Sequence, residues 1–259
     1  MKIKQLGNGG AFDYDKTNSS FLIDIGTDEK RSLILFDCGY NVYSKLRELE
    51  KEDKDIIKDI DSIWISHLDD DHVGSLKTLI YYRYYILNKE TFILENSLKN
   101  ELQNFLCDMN QTMHFGKFEK TNIYYTNIYY IVNRPIINIK NTTYIISETK
   151  TFHHLDCYGL CIKEINNKTN EYYSILYISG DTKVCTGTLE VLNDIILSTV
   201  TLKNYKIYHD YSNWNSYENN VHTCEYDFNK YYLQNESFKD LEITKYHNNA
   251  EFNEDWIEI

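Results

Sequence analysis

Apolar and polar positions alternate along this chain with two different periods. Short runs dense in Ile, Leu, Phe and Val, bounded by Gly, Asn or charged residues, predict strands at LGNGG, SSFLIDIG, RSLILFDCGY and IDSIWISH, the last ending directly at His67. Residues 42–58, VYSKLRELEKEDKDIIK, space Leu and Ile among charges at helical intervals, and residues 75–88 repeat that spacing. TFIL (91–94) predicts a strand and SLKNELQNFLCDM a helix. From Thr121 to Thr151 the chain is β-rich (NIYYTNIYYIV, IINIK, TTYIIS). GLCIKEI, YYSILYISGD and KIYHDYS continue the strand pattern, with helices near 188–195 and 223–233 and a last strand at LEITKYH. Helices and strands alternate in both halves, with no internal repeat, low-complexity linker or Pro-rich boundary. The expectation is α/β: one domain over residues 1–259, built on two mixed sheets. The pattern is weakest over 99–120, which contains His114; a lid, an interface arm or a plain surface excursion would all accommodate it.

Composition narrows the functions open to such a chain. Its 259 residues can bury a large core, and 25 % charged with 42 % hydrophobic residues is ordinary for a globular protein. The 24 tyrosines and the single proline, Pro135, reflect AT-rich coding more than chemistry. A net charge of -12 matters more. Proteins that grip long nucleic acids draw affinity from neutralising phosphates, and no Lys/Arg stripe here offsets the acidic excess, so long nucleic acids are disfavoured as partners. A small anion held by a local cationic centre, such as metal ions, is still compatible with that charge. The N-terminal MKIKQLGNGGAF lacks the apolar stretch of a signal peptide, and no run approaches the roughly 18 apolar residues of a membrane span. Six cysteines without a CxxC pair imply reduced thiols, and a cytoplasmic location is expected.

The candidate chemistry concentrates at predicted strand ends. SHLDDDHVGS (66–75) carries His67, Asp69, Asp71 and His72 in six positions, following one strand and preceding a helix expected near Gly74. His67, Asp69 and Asp71 alternate, so no helix brings them together, whereas a tight loop would turn them inward. The simpler reading is a polar loop. Further candidates sit in the same setting: His153 in HHLDCYG, Asp181 in YISGDT, Asp210 in HD, His222 in VHT and His247 in ITKYH. Of eight histidines, all but His114 fall in such motifs. Carboxylates and imidazoles converging at the carboxyl ends of strands make a site for hard divalent cations, and a two-metal hydrolase needs one carboxylate shared by both ions. Asp70 is expected to be solvated, His154 to lie outside the ligand set, His209 to hydrogen-bond in the core, and Cys157 and Cys161 to pack as small hydrophobes. Gly7, Gly9 and Gly10 are read as turn formers near the site.

These motifs resemble, in order, those of the metallo-β-lactamase fold and its tRNase Z-like phosphodiesterase branch. HLDDDH is a variant of HxHxDH; LGNGGA resembles LGTGGA, and HHLDCYG resembles HPLECYG. SGDT matches the bridging-aspartate motif, HD and VHT resemble the His-Glu and HST motifs, and KYHNNAEF resembles HFSxRY. The resemblance runs from residue 5 to about 252 and implies a four-layer αββα sandwich of two mixed sheets. It implies one metal held by His67, Asp69, His153 and Asp181, and a second held by Asp71, His72, Asp181 and His247. Asp71 would accept or orient the proton of the attacking water, and His222, oriented by Asp210, would protonate the leaving oxygen. The pattern departs at Asp69, where the family has His. A carboxylate there favours Mn, Mg or Fe over a His-rich zinc site, so the pair of divalent ions is read as Zn or Mn, with Mg, Fe or Co also open.

tRNA-maturing members carry a long arm between the third motif and SGDT, whereas the span from His153 to Asp181 suffices only for a hairpin. Within this branch, acidic and armless chains resemble the phage anti-Pycsar proteins and their bacterial relatives. That resemblance implies hydrolysis of 3′,5′-cyclic mononucleotides, cyclic CMP and UMP included, to nucleoside monophosphates, countering a bacterial immune signal in the host cytoplasm. It also implies a homodimer. A tRNase Z-like RNA phosphodiesterase, a lactone or thioester hydrolase of the same fold, and a catalytically weak cyclic-nucleotide sponge are the alternatives. Base preference and the tyrosines that meet substrate are not legible at this level.

Overall fold

A computed structural model describes residues 1–13, 15–107, 109, 113–114, 124–125, 128–169, 171–198, 204–212, 221–247 and 252–259. In chain order the elements are β1 (Lys2–Gly7), β2 (Ser20–Asp24), β3 (Leu33–Phe36), α1 (Val42–Leu49), β4 (Ile60–Trp64), α2 (Asp70–Val73), α3 (Leu76–Tyr85), β5 (Thr91–Leu94), α4 (Lys99–Phe105), β6 (Met113–His114), β7 (Tyr124–Tyr125) and β8 (Tyr129–Val132). There follow β9 (Ile136–Ile139), β10 (Thr142–Phe152), β11 (Asp156–Asn166), β12 (Glu171–Ile178), α5 (Thr186–Ser198), β13 (Asn204–Asp210), α6 (Glu225–Phe228) with a π-helical turn over Asn229–Leu233, β14 (Ile243–Tyr246) and β15 (Ile257–Glu258). Most of the 110–123 stretch, and residues 248–251 of the KYHNNAEF motif, lie outside the described residues, so the lid or arm expected over 99–120 is described only at α4 and its immediate neighbours.

The strands form two mixed sheets, ordered β15-β1-β2-β3-β4-β5-β8 and β14-β13-β12-β11-β10-β9. Their facing sides bury Phe21, Ile23, Phe36 and Trp64 of the first sheet against Leu160, Ile162, Leu176, Tyr208 and Tyr246 of the second. The outer face of the first sheet packs Leu22, Leu35 and Ile63 against Leu46, Leu76, Leu79 and Leu102 of α1, α3 and α4. The second does the same with Ile175, Tyr177 and Ile207 against Leu192, Ile195 and Phe228. This is the expected αββα sandwich. Because alternate side chains of a strand point to opposite faces, strands covered on both sides must be apolar at nearly every position, and the all-buried LILF of β3 is the result.

Two departures from the predicted elements have local causes. The helix expected over 42–58 stops at Leu49, since Arg31 of the β2–β3 connection binds the Asp53 and Asp59 carboxylates and fixes a turn there. Ile56 and Ile57, in the turn that follows, are both buried. The tight loop expected to turn His67, Asp69 and Asp71 inward ahead of a helix near Gly74 gives way after Asp69, itself in extended conformation, to the short helix α2.

The sandwich also places the candidate residues. β3, β4 and β5 run parallel, as do β12, β13 and β14, and their carboxyl ends meet at one edge. There Trp64 Nε1 donates to the Tyr158 carbonyl at 3.2 Å and Tyr158 N to the Ser66 carbonyl at 2.9 Å, pinning the two sheets together beside His67. Among the described residues, no helix is long and apolar enough to cross a membrane.

Candidate metal centre

Every histidine and aspartate singled out from the sequence, His114 excepted, lies at or beside this edge. β4 delivers Ser66 and His67, and α2 carries Asp71 and His72 in its first turns. The β10–β11 turn carries His153 and His154, β13 ends in His209 and Asp210, and His247 follows β14. After β12 the chain must reverse at Gly180, whose φ is +67° and where a Cβ would sit 3.0 Å from Cys157 Sγ. Only glycine is comfortable there, and the reversal aims Asp181 into the cluster. Asp37 and His247 are non-glycine residues with φ of 59° and 73°. Each such conformation costs about 1–3 kcal/mol and persists where surrounding contacts fix it.

Four sets of donor atoms converge, one of them Asp181, Asp210, His222 and His247. Asp71, His72, Asp181 and His247 form another, matching the second predicted ligand set. His67, His153 and Asp181 form a third. Asp69, expected to join the latter, groups with His153 and His154, its Oδ2 lying 3.3 Å from both Nε2 atoms and 3.4 Å from His67 Nε2. Asp181 stands between the sets: Oδ2 is 3.4 Å from His72 Nε2 and 3.9 Å from His67 Nε2, and Oδ1 is 3.3 Å from His247 Nδ1. Asp210 accepts hydrogen bonds from Thr182 N (2.8 Å) and His222 Nδ1 (2.8 Å) on one oxygen and faces His247 Nδ1 (3.1 Å) with the other.

Asp37 and Ser66, absent from the predicted ligand set, hold the first two histidines. Asp37 Oδ1 accepts from Ser66 N (2.7 Å), and Oδ2 accepts from Ser66 Oγ (2.7 Å) and His72 Nδ1 (2.8 Å). Ser66 spends its only hydroxyl proton on Asp37, so the 3.0 Å contact with His67 Nδ1 has the imidazole donating. Both rings therefore keep Nδ1–H and turn Nε2 toward Asp181 as the atom a metal would meet, the arrangement by which carboxylates orient metal-binding histidines. The available signal was an aspartate closing the apolar run LILF. His209 has no part in the cluster. It donates from Nδ1 to the Asp210 carbonyl (2.8 Å) and accepts from Tyr232 Oη (2.7 Å) in the core. Asp70 is exposed, and Cys157 and Cys161 are buried.

The cluster suits divalent cations on two grounds. His67 Nε2, His72 Nε2, His247 Nε2 and Asp181 Oδ1 are buried and make no hydrogen bond, an arrangement too costly to keep in a core unless another ligand satisfies it. The electrostatics point the same way. Burial lowers the proton affinity of His72 and His247, but Asp181 and its neighbouring carboxylates win, raising His72 well above the ordinary value and His247 to about 10. Burial opposes ionisation of Asp71, Asp69 and Asp181, yet the surrounding imidazoles hold all three well below the usual carboxylate range. His67, buried and beside His72, is pushed down and stays neutral. Carboxylates that draw protons onto buried imidazoles will draw metal cations more strongly. The cluster opens into a cavity of about 440 Å³ lined also by Ala11, Phe12, Tyr40, Ser212 and Val221.

This geometry can be set beside known proteins. The metallo-beta-lactamase fold protein YhfI from Bacillus subtilis superposes with a TM-score of 0.62 at 15% sequence identity, covering 95% of this chain and 86% of that one. The short form of human tRNase Z superposes with a TM-score of 0.59 at 15% identity, over 100% of this chain and 99% of the other. With its αββα layers, the chain is thus a metallo-β-lactamase-fold protein. A narrower assignment comes from the sequence family described as Anti-Pycsar protein Apyc1, whose model matches residues 1–255; the chain belongs to that family. The Anti-Pycsar protein Apyc1 of Paenibacillus sp. (strain J14) is 29% identical over 108 residues, 41% of each chain. That of Bacillus phage 010DV004 is 28% identical over 104 residues, 39% of this chain and 38% of the relative. The matched stretch spans about two fifths of these curated relatives.

Proposed function

We propose that this protein is a binuclear-metal phosphodiesterase that hydrolyses 3′,5′-cyclic mononucleotides to nucleoside monophosphates, and so counters cyclic-nucleotide immune signalling. The observation that carries the reading is the set of buried, unsatisfied imidazole nitrogens ringed by carboxylates beside an Asp210-held His222, in a chain of the Anti-Pycsar family. His67, His153 and Asp181, with Asp69 at the rim, would hold one divalent ion, and Asp71, His72, Asp181 and His247 the other. When bound, the ions supply charge neutralisation for the phosphoryl oxygens and acidify the attacking water.

The chain's own groups supply the proton traffic. Asp71, kept ionised by His72 and open to the cavity, is placed to take the proton of the attacking water. Burial works against a charge on His222, but Asp210 prevails and raises its proton affinity, so the ring is kept as a donor for the departing ribose oxygen. A cleft of about 440 Å³ falls in the roughly 300–1,000 Å³ range of small-molecule sites. Against a tRNA substrate stand the net charge of -12 and the β11–β12 connection, which spans only residues 167–170. One observation favours a second reading, a binding sponge: Asp69 groups with the exposed His154 and not with Asp181, which would weaken the first ion's site. A homodimer belongs to the proposal and is checked by light scattering. The function is tested by mass spectrometry of products from cyclic CMP, UMP, AMP and GMP with Mn or Zn, beside a pre-tRNA. Nucleoside monophosphates and intact pre-tRNA are expected. Bound but uncut nucleotide would establish the sponge instead.

A further inference from the structure

The mouth of the cleft carries two aromatic side chains that the chemistry above leaves unused. Phe12 is 87% exposed, more than any other large hydrophobic among the described residues, and Tyr40 is 53% exposed. Single exposed apolar side chains are common and mean little. These two are different because both line the cavity that holds Asp71, Asp181 and His222, and because the chain is built to hold them there.

Phe12 sits at the tip of a braced loop. Gly10 N donates to Asp13 Oδ2 (3.0 Å) and Asp13 N returns to the Gly10 carbonyl (3.2 Å), closing a turn around Ala11 and Phe12. Below the tip, Gly9 N donates to the Thr17 carbonyl (2.8 Å), Ser19 N to the Gly9 carbonyl (2.9 Å) and Asn18 Nδ2 to the Gly10 carbonyl (3.2 Å). Tyr40 belongs to the segment after β3, and its neighbour Asn41 clamps that segment to the Phe12 loop. Asn41 Oδ1 accepts from Asn18 N (2.8 Å), and Asn41 Nδ2 donates to the Lys16 carbonyl (2.7 Å). The preceding Gly39 packs so closely on α2 that a Cβ would fall 1.9 Å from the Asp71 carbonyl oxygen, and a Cβ on Gly74 would fall 2.7 Å from Tyr40 Cδ1. The backbone that carries both aromatics is thereby tied to the backbone that carries Asp71. A ring carried on a braced loop beside a charged centre meets a flat ligand with little backbone ordering left to be done.

Resting on the phosphodiesterase reading, we propose that Phe12 and Tyr40 form the nucleobase platform of this site. The phosphodiester enters the Asp/His cluster, while the base stacks on the rings at the mouth. Stacking uses the face common to every base, so this platform accepts purines and pyrimidines alike and ranks them by ring size more than by hydrogen-bonding edge.

The test is Phe12→Ala beside Phe12→Trp in the metal-loaded protein. Phe12 buries almost nothing, so both variants should unfold at the wild-type denaturant concentration. Assays compare kcat and KM for cyclic AMP and cyclic UMP with those for base-free 3′,5′-cyclic ribose phosphate. The expected result is a KM raised roughly five- to 150-fold for the nucleotides in Phe12→Ala. Their kcat should hold within about threefold, the base-free substrate should be unaffected, and Phe12→Trp should restore KM. Unchanged KM in an active Phe12→Ala protein would overturn the platform and leave the phosphodiesterase reading intact. If the wild type cuts no cyclic nucleotide, calorimetric titration decides. Binding that Phe12→Ala weakens by the same factor keeps the platform while the hydrolase reading fails, and absent or equal binding overturns the platform too.

Discussion

Replacing Asp37 tests whether one buried carboxylate sets the orientation of both His67 and His72. Its two oxygens accept from Ser66 N, Ser66 Oγ and His72 Nδ1 at 2.7–2.8 Å, all in the fully buried edge. Asp37→Ala would strand these donors at about 1–3 kcal/mol each. Ser66 Oγ can rotate elsewhere, so two unmet donors, roughly 2–6 kcal/mol, is the working figure. Alanine also tolerates φ of 59° less well than aspartate. That loss is a large share of the roughly 5–15 kcal/mol that a domain has, and it can unfold the protein before metal binding is read. Asp37→Asn separates the effects, since it keeps volume, backbone preference and one acceptor. Its amide must face either Ser66 or His72 with a donor where an acceptor is needed, and if His72 shifts its proton to Nε2 that atom is no longer a ligand. A loss of about 10–100-fold in metal affinity is expected, the usual scale for such orienting carboxylates. The assay is competition of metal-stripped protein against a chromophoric chelator, with urea unfolding in parallel. Folded Asp37→Asn that binds both ions as tightly as wild type would refute the orientation argument.

Four further outcomes follow from the same geometry. His222→Gln should slow cyclic-nucleotide hydrolysis about 10²–10⁴-fold while sparing bis-p-nitrophenyl phosphate, whose leaving group needs no proton; equal losses on both would remove His222 from the acid role. Asp69→His should move the preference from Mn toward Zn in paired metal titrations, and an unchanged ratio would show that Asp69 does not reach an ion. Tyr232→Phe deletes the hydroxyl that donates to buried His209 Nε2 and should cost about 1–3 kcal/mol in urea unfolding, with metal affinity retained. Arg31 holds Asp53 below its ordinary pKa, so the pair contributes stability above about pH 4 that is lost as the pH falls through the lowered value. Arg31→Met should flatten that acid slope, and an unchanged slope would exclude the pair as its source.

The chain announced its layers through strands buried on both faces, of which the continuous apolar run LILF of β3 is the clearest. The ligand residues were legible because each sits where such a run ends. What stayed hidden depended on contacts between distant segments. The truncation of α1 needs Arg31 of another element, and the grouping of Asp69 with His154 needs the β10–β11 turn. The two-residue strand β15, paired to β1, is too short to carry a period. Asp37 looked like the end of a strand, and only the structure shows its carboxylate beneath two histidines. Phe12 and Tyr40 were one phenylalanine and one tyrosine among many until the fold put both at the mouth of the same cleft.

The central claim is a two-ion site that cuts cyclic nucleotides, and its most direct test is turnover against metal content. Chelator-stripped protein is titrated with Mn or Zn while nucleoside monophosphate release from cyclic UMP is followed by mass spectrometry, with Asp181→Ala alongside. The account predicts no product without metal, activity that rises to saturation at two ions per chain, and none from Asp181→Ala at any loading. Full turnover by the stripped protein, saturation without product, or an active Asp181→Ala would contradict it.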